Sequence, residues 1–233
     1  MNKAFEALEK HPTDVQERFY YSSLRDEFND SLYLTAKFLL GYKDINAFTH
    51  GDMIKALESP ITRKLIVMPR GVFKSSLGSV AYPIWLLNKN PNLRIMLDSE
   101  LYSNSKNLLR EIKAHLDNPS LTNIYGVYKN KAVWNEGEVT INQRTKVFKE
   151  ASLTASGIGA EKTGQHYDVI VADDLNSPSN SNTKESREKV LNHYRYLTSI
   201  LEPEGVLVVI GTRYSDDDCI GNILKKELEM EAG

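Results

Sequence analysis

One cysteine, Cys219, stands in 233 residues. It excludes an internal disulfide framework and suits a reducing compartment. The histidines at 11, 50, 115, 166 and 193 form no close pair, so no Cys/His zinc site is expected. No apolar run approaches the ~20 residues of a membrane span. The opening Met1-Asn2-Lys3-Ala4-Phe5-Glu6 lacks the basic-then-apolar signature of a secretory leader. Charge of one sign is lacking too: 29 Lys+Arg against 31 Asp+Glu give a net −2, which argues against a basic arm. What is there is an ordinary globular composition, 41% apolar and 26% charged. A chain of this length can bury roughly 70% of its unfolded surface and needs neither disulfides nor a structural metal to fold.

The charge is unevenly spread. Segment 14–31 carries five acids against Arg18 and Arg25, and 213–233 carries six acids against Arg213, Lys225 and Lys226. Segment 61–116 carries nine Lys/Arg against Asp98, Glu100 and Glu111, a net +6. Two readings stand: three solvated faces, or a basic face able to meet a polyanion.

Apolar periodicity predicts a helix over 14–40, with Val15, Phe19, Leu24, Phe28, Leu32, Ala36 and Leu39 on one stripe. A short helix from Asp52 to Glu58 ends before Pro60. Four compact apolar runs follow, at 64–68, 93–97, 168–173 and 205–210, each too short for a helix and read as buried strands. Helices are expected after each: Lys74 to Asn88, kinked by Pro83; Ser103–Leu116; 183–200, capped by Asn182 with Glu185; and one beginning near Ser215, with Asp218 at capping-box spacing. Residues 132–134 and 139–141 flank the turn Asn135-Glu136-Gly137 and predict an antiparallel hairpin. The alternation predicts an α/β fold with a mostly parallel central sheet flanked by helices. Ligands of such folds bind outside the carboxyl ends of the strands.

The first strand leads into Met68-Pro69-Arg70-Gly71-Val72-Phe73-Lys74-Ser75-Ser76. Lys74 and Ser75 stand where a phosphate loop needs a lysine for the β/γ-oxygens and a hydroxyl for Mg²⁺. Met68 and Phe73 occupy the two outer glycine positions, so the strict pattern fails, and a plain Lys-Ser helix start remains open. The third strand ends in Asp173-Asp174, suited to one carboxylate holding Mg²⁺ through water and a second orienting the attacking water; a strand-end turn would also use two acids. The fourth ends in Gly211-Thr212-Arg213-Tyr214, where the Thr212 hydroxyl could reach a γ-phosphate, or simply make a turn. Ser103 with Lys106 matches S-x-x-K but reads as a helix cap, and Asp216-Asp217-Asp218 is explained by a helix macrodipole.

Together these motifs resemble the packaging ATPase domain of the large terminase subunit of tailed bacteriophages. The matching stretches are Pro69-Arg70-Gly71 with Lys74-Ser75; Gly157-Ile158-Gly159 leading to Gly164, Asp168 and Asp173-Asp174; Arg187-Glu188-Lys189-Val190; and Val209-Ile210-Gly211-Thr212-Arg213-Tyr214 with Asp217-Asp218. They span about residue 48 to 225. The resemblance implies a P-loop NTPase of the additional-strand, catalytic-acid type, with a helical region over 1–60 and the ATPase core over 61–233. It implies ATP and Mg²⁺ bound by the loop from Arg70 through Gly71, Val72, Phe73, Lys74 and Ser75 to Ser76. Asp173 would serve the metal through water, Asp174, Lys74 and Arg70 would serve hydrolysis, and Thr212 would couple it to motion. The family's adenine-contacting segment lies upstream of the first strand, where Phe48 and His50 are candidates.

The family commonly places an arginine before the acidic strand that acts on the neighbouring subunit's ATP. Here that stretch reads Lys162-Thr163-Gly164, so either Lys162 substitutes or another residue such as Arg144 serves. The resemblance further implies translocation of double-stranded viral DNA into a preformed capsid in the host cytoplasm. The implied partners are the portal protein, the small terminase subunit, and copies of the chain itself in a ring, with a monomer in isolation. A helicase-like or repair ATPase, or a nucleotide-binding module without hydrolysis, remains an alternative. Such terminases carry a nuclease domain after the motor, for which this length leaves no room, so an excised motor half without nuclease activity is expected.

Overall fold

A computed structural model describes residues 14–160 and 164–231. Seven strands form one sheet in the order β1-β7-β6-β2-β5-β4-β3. They are β1 (Arg63–Val67), β2 (Ile95–Ser99), β3 (Lys129–Trp134), β4 (Glu138–Ile141), β5 (Leu153–Gly157), β6 (Tyr167–Asp173) and β7 (Leu201–Gly211). The five strands β1, β7, β6, β2 and β5 run parallel, and β4 and β3 add an antiparallel hairpin at one edge. The four apolar runs become β1, β2, β6 and β7, and β7 begins four residues earlier than expected.

Helices cover both faces. On one lie α1 (Asp14–Asp30), α2 (Leu32–Leu34), α3 (Ala47–Glu58), α4 (Tyr82–Lys89), α5 (Tyr102–Leu116) and α6 (Pro119–Tyr125), sharing an apolar cluster that runs from Phe28 through Ile66 to Ile210. On the other lie α8 (Lys184–Ser199) and α9 (Cys219–Glu231), with Val190, Leu197 and Cys219 packed on Ile170 and Leu207. A single turn, α7 (Pro178–Ser181), lies in the polar loop before α8. Among the described residues no helix is long and apolar enough to cross a membrane.

Several expectations shift in detail. The long first helix breaks at Ser31, whose side chain accepts from Leu34 N–H and caps a new start that continues as a π-helical turn, Thr35–Leu39. The helix expected from Asp52 begins at Ala47, because Asn46 accepts from Thr49 N–H. The kink expected at Pro83 takes the form of a π-helical stretch, Ser76–Ala81, so the missing proline donor falls where the ladder has already changed register. Helix α8 is capped by Thr183 rather than Asn182. Asp218 itself caps α9, accepting from Gly221 N–H at 2.8 Å, which delays that helix to Cys219.

Candidate nucleotide site

Parallel register brings the chemistry to one edge. Val67 pairs with Gly211, Ile210 with Asp173, and Asp173 with Ser99, so the tips of β1, β7, β6 and β2 line up. The Met68–Ser76 loop, Asp173-Asp174 and Thr212 are therefore neighbours, although up to 144 residues separate them.

Lys74 is buried, and its Nζ lies 3.3 Å from Asp174 Oδ2. Asp173 is buried on the next position of the same strand end, and Ser79 Oγ donates to its Oδ2 at 2.8 Å. Burial pushes the Asp173 carboxyl above its usual range, opposed by the hydroxyls of Ser75 and Ser79. Oδ1 of Asp173 and Oδ1 of Asp174 are both buried without a hydrogen-bond partner among the described residues. Orphaned carboxylate oxygens beside a serine hydroxyl suit a hard divalent cation. No cluster of three acidic, His or Cys groups accompanies them among the described residues. That donor set fits Mg²⁺, which keeps its waters and leans on substrate phosphates, better than a cation needing an all-protein cage.

The loop keeps its shape despite the missing glycines. Gly71 has φ of 80°, and a Cβ there would meet nothing within 4 Å, leaving room beside the backbone. Phe73, in the second glycine position, adopts φ of 56°, a conformation that costs a bulky side chain energy and that glycine takes freely. Asp174 also has positive φ, 49°, held by its N–H donating to Ile210 O at 2.8 Å. Lys74 leads the helix in, with Leu77 N–H donating to Phe73 O at 2.9 Å.

Thr212 Oγ1 donates to Met68 O at 3.2 Å, tying the tip of β7 to the start of the loop. Arg70 reaches across to Tyr214, donating to its hydroxyl and lying 5.6 Å from its ring centre. Ser76 opens the π-helical stretch, and its neighbour Ser75 faces Asp173.

The upstream pair separates. Phe48 is 100% exposed on the first turn of α3. His50 is buried: its Nε2 donates to Val72 O at 3.1 Å, while Nδ1 accepts from Asn46 N–H at 3.2 Å. It thus props the phosphate loop from behind. Below the same helix, the buried Lys64 ammonium donates to Leu57 O at 3.1 Å and Ser59 O at 2.7 Å, capping the end of α3 from β1.

Arg144 lies at the opposite edge. It precedes β5, donates to Glu150 O at 2.7 Å and stacks on Phe148. Beside it Arg94 grips Asp168 at 2.8 Å and Glu202 at 2.7 Å, all at the amino ends of parallel strands. Lys162 lies outside the described residues. Three participants escaped the sequence reading. The first is Ser79, four residues after Ser75, whose spacing was the signal. Tyr214 sat unread inside a recognised motif. Glu100, at the tip of β2, accepts from Ser177 Oγ at 2.6 Å and Asn180 Nδ2 at 3.1 Å and so anchors the loop after the acids.

A phosphate-type loop on β1, acids on β6 and a hydroxyl on β7 between them, at one edge of a mostly parallel sheet, define the chain as an α/β protein of the P-loop NTPase fold. No family model matches the chain. It is 28% identical to the large terminase subunit of Enterobacteria phage T3, over 78% of this chain and 30% of that protein. The chain is thus similar to a phage large terminase subunit, as its motifs led us to expect, and it spans under a third of the length of the protein it matches. A solved structure of a variant S. cerevisiae Dbp5 bound to Nup159, a Gle1 variant, IP6 and ADP superposes with a TM-score of 0.52. That match has 11% identity and covers 84% of this chain and 49% of the other. At that identity the likeness speaks for the fold alone.

Proposed function

We propose that this chain hydrolyses ATP at the Lys74–Asp174 edge and that hydrolysis drives double-stranded DNA into a viral capsid. The observation carrying this reading is the pairing of the loop lysine with Asp174, the acid just after β6, 3.3 Å apart, in a chain similar to a phage large terminase subunit. ATP's phosphates would enter along the backbone N–H groups from Gly71 to Ser76. Lys74 would leave Asp174 for the β/γ-oxygens, and Arg70 would leave Tyr214 for the same charge. Asp174, freed of its cation, would orient water in line with the γ-phosphorus; such transfer relies on positioning and charge stabilisation rather than covalent chemistry. Ser75 and, through water, Asp173 would hold Mg²⁺, which neutralises charge on the β- and γ-oxygens when bound. Thr212, bonded to the loop at Met68, would carry the change to β7.

The remaining positive charge would come from a neighbouring copy in a ring assembled with the portal protein and the small terminase subunit. Of the two candidate residues, Arg144 stands at the far edge from its own Lys74, so it would serve only across a subunit boundary. The residues before β1 would act as a helical region bearing the adenine side of the pocket, and the rest as the ATPase core. The test is the ATPase rate against protein concentration, with and without duplex DNA, for the natural chain and for Lys74→Ala. A rate that rises steeply with concentration and vanishes in the variant is expected; equal rates in both proteins would overturn the enzyme reading.

A further inference from the structure

The structure disperses the nine cations of segment 61–116. Arg63 donates to Gly205 O, Lys64 is buried under α3, Arg70 and Lys74 belong to the nucleotide site, Lys89 lies over the Trp85 ring, and Arg94 sits in a far-edge ion-pair network. The remaining three share one surface. Lys106, Arg110 and Lys113 recur at four- and three-residue steps, so they form a single stripe along α5. The turn of the β3–β4 hairpin faces them. Between the two elements runs a groove of about 270 Å³, lined by Ser103, Lys106, Asn107, Arg110, Lys113 and Glu136.

The stripe is held in place. Lys106 Nζ pairs with Glu136 at 2.9 Å and lies 5.4 Å from the Tyr102 ring centre. Lys113 Nζ donates to Asn135 O at 3.1 Å and lies 5.7 Å from the Trp134 ring centre. Arg110 donates to Asn107 Oδ1 at 2.8 Å within its own helix. Three cations thus face one carboxylate, and Lys106, its bonded partner, holds Glu136 below the usual range. The groove starts near the sheet edge that carries Lys74, where α5 begins just past the tip of β2, and runs back beside Gly137, whose O accepts from Ala155 N–H in the middle of β5. Four strand spacings separate β1 from β5, about 19 Å.

We propose that this groove grips the phosphate backbone of duplex DNA. The inference rests on the reading above that the chain acts on DNA, and it names the surface. From Lys106 to Lys113 the helix rises about 10.5 Å, about the length of duplex axis over which one strand advances three phosphates at about 3.4 Å of axial rise each. A lysine ammonium lies beside each aromatic ring of the groove, 5.4 Å from the centre of Tyr102 and 5.7 Å from that of Trp134, so cations line its wall. What the groove offers is ordered positive charge, which positions a duplex without reading its sequence.

The experiment is fluorescence anisotropy of a labelled ~30-base-pair duplex across a salt series. It compares the natural chain, the triple variant Lys106→Gln/Arg110→Gln/Lys113→Gln, the single variant Arg110→Gln, and a control triple on α8, Lys184→Gln/Lys189→Gln/Arg195→Gln. Removing three phosphate contacts should lower the log–log salt slope by about 2.7 and removing one by about 0.9. The control should leave the slope unchanged, and basal ATPase without DNA should be unchanged in all three variants. Equal losses in the groove and control triples, or none in either, would overturn the groove while leaving the DNA reading intact. A natural chain with no duplex affinity at any salt would overturn both. Should the triple variant melt early, the single variant's slope decides.

Discussion

Lys74 Nζ and Asp174 Oδ2 lie 3.3 Å apart, so the cation expected to meet phosphate is paired with the base expected to face water. In the proposed roles, each group would have to release the other before either could act. Asp174→Asn removes the competing charge and the water-orienting carboxylate together. ATP affinity, by titration calorimetry, should hold or rise, while turnover should fall on the order of 10²–10⁴-fold. Parallel loss of both would contradict the assigned roles.

Asp173 carries the opposite liability. Burial raises its pKa above the unfolded 3.8, with Ser75 and Ser79 opposing. The folded state therefore holds the proton more firmly than the unfolded one. Stability accordingly declines as pH climbs from 3.8 through the raised value and stays lower at neutrality. Asp173→Asn, without nucleotide or Mg²⁺, should raise Tm at pH 7 by a few degrees, and the difference should close below about pH 3.8. Differential scanning calorimetry at the two pH values checks it; a lower Tm at pH 7 would contradict the account.

Phe73 tests the loop. Its φ of 56° is strained by about 1–3 kcal/mol for a bulky residue. Phe73→Gly should keep ATPase within a few-fold, because relief of strain offsets the ~0.5–1 kcal/mol entropic cost of glycine. Phe73→Val, β-branched at the same φ, should lower both Tm and nucleotide affinity. Indistinguishable glycine and valine variants would show that the conformation is unimportant.

His50 separates support from recognition. Because Nε2 bonds to Val72 O, His50→Ala leaves that carbonyl unmatched, at a cost of about 1–3 kcal/mol. The KM for ATP and for GTP should rise by the same factor. A rise confined to ATP would mean that the ring reads the adenine after all.

The sequence disclosed those buried strands whose apolar runs are unbroken. Runs such as Val169-Ile170-Val171-Ala172 are unbroken because parallel strands meet helices above and below. Strand β5 is equally buried, yet Thr154 and Ser156 interrupt its apolar positions, so no run announces it. Helix α6 has seven residues, too few for a period to emerge. The nearness of Lys74, Ser75, Asp173, Asp174 and Thr212 could be read because all of them lie at or follow the tips of parallel strands. The Arg70–Tyr214 contact could not, since it joins positions 144 apart. Nor could the dispersal of the basic segment, because charge counted along a chain carries no direction in space.

Lys64 and His50 fasten the two ends of α3 to one strand-and-loop unit, the lysine at the carboxyl terminus and the imidazole at the amino terminus. A helix pinned this way cannot shift without carrying β1 and the phosphate loop along. The conformational entropy of ordering that loop is therefore incurred when the protein folds, not when a ligand arrives. If the proposed nucleotide binds there, it would meet a preorganised cradle, and its affinity should depend little on rearrangement of the loop backbone.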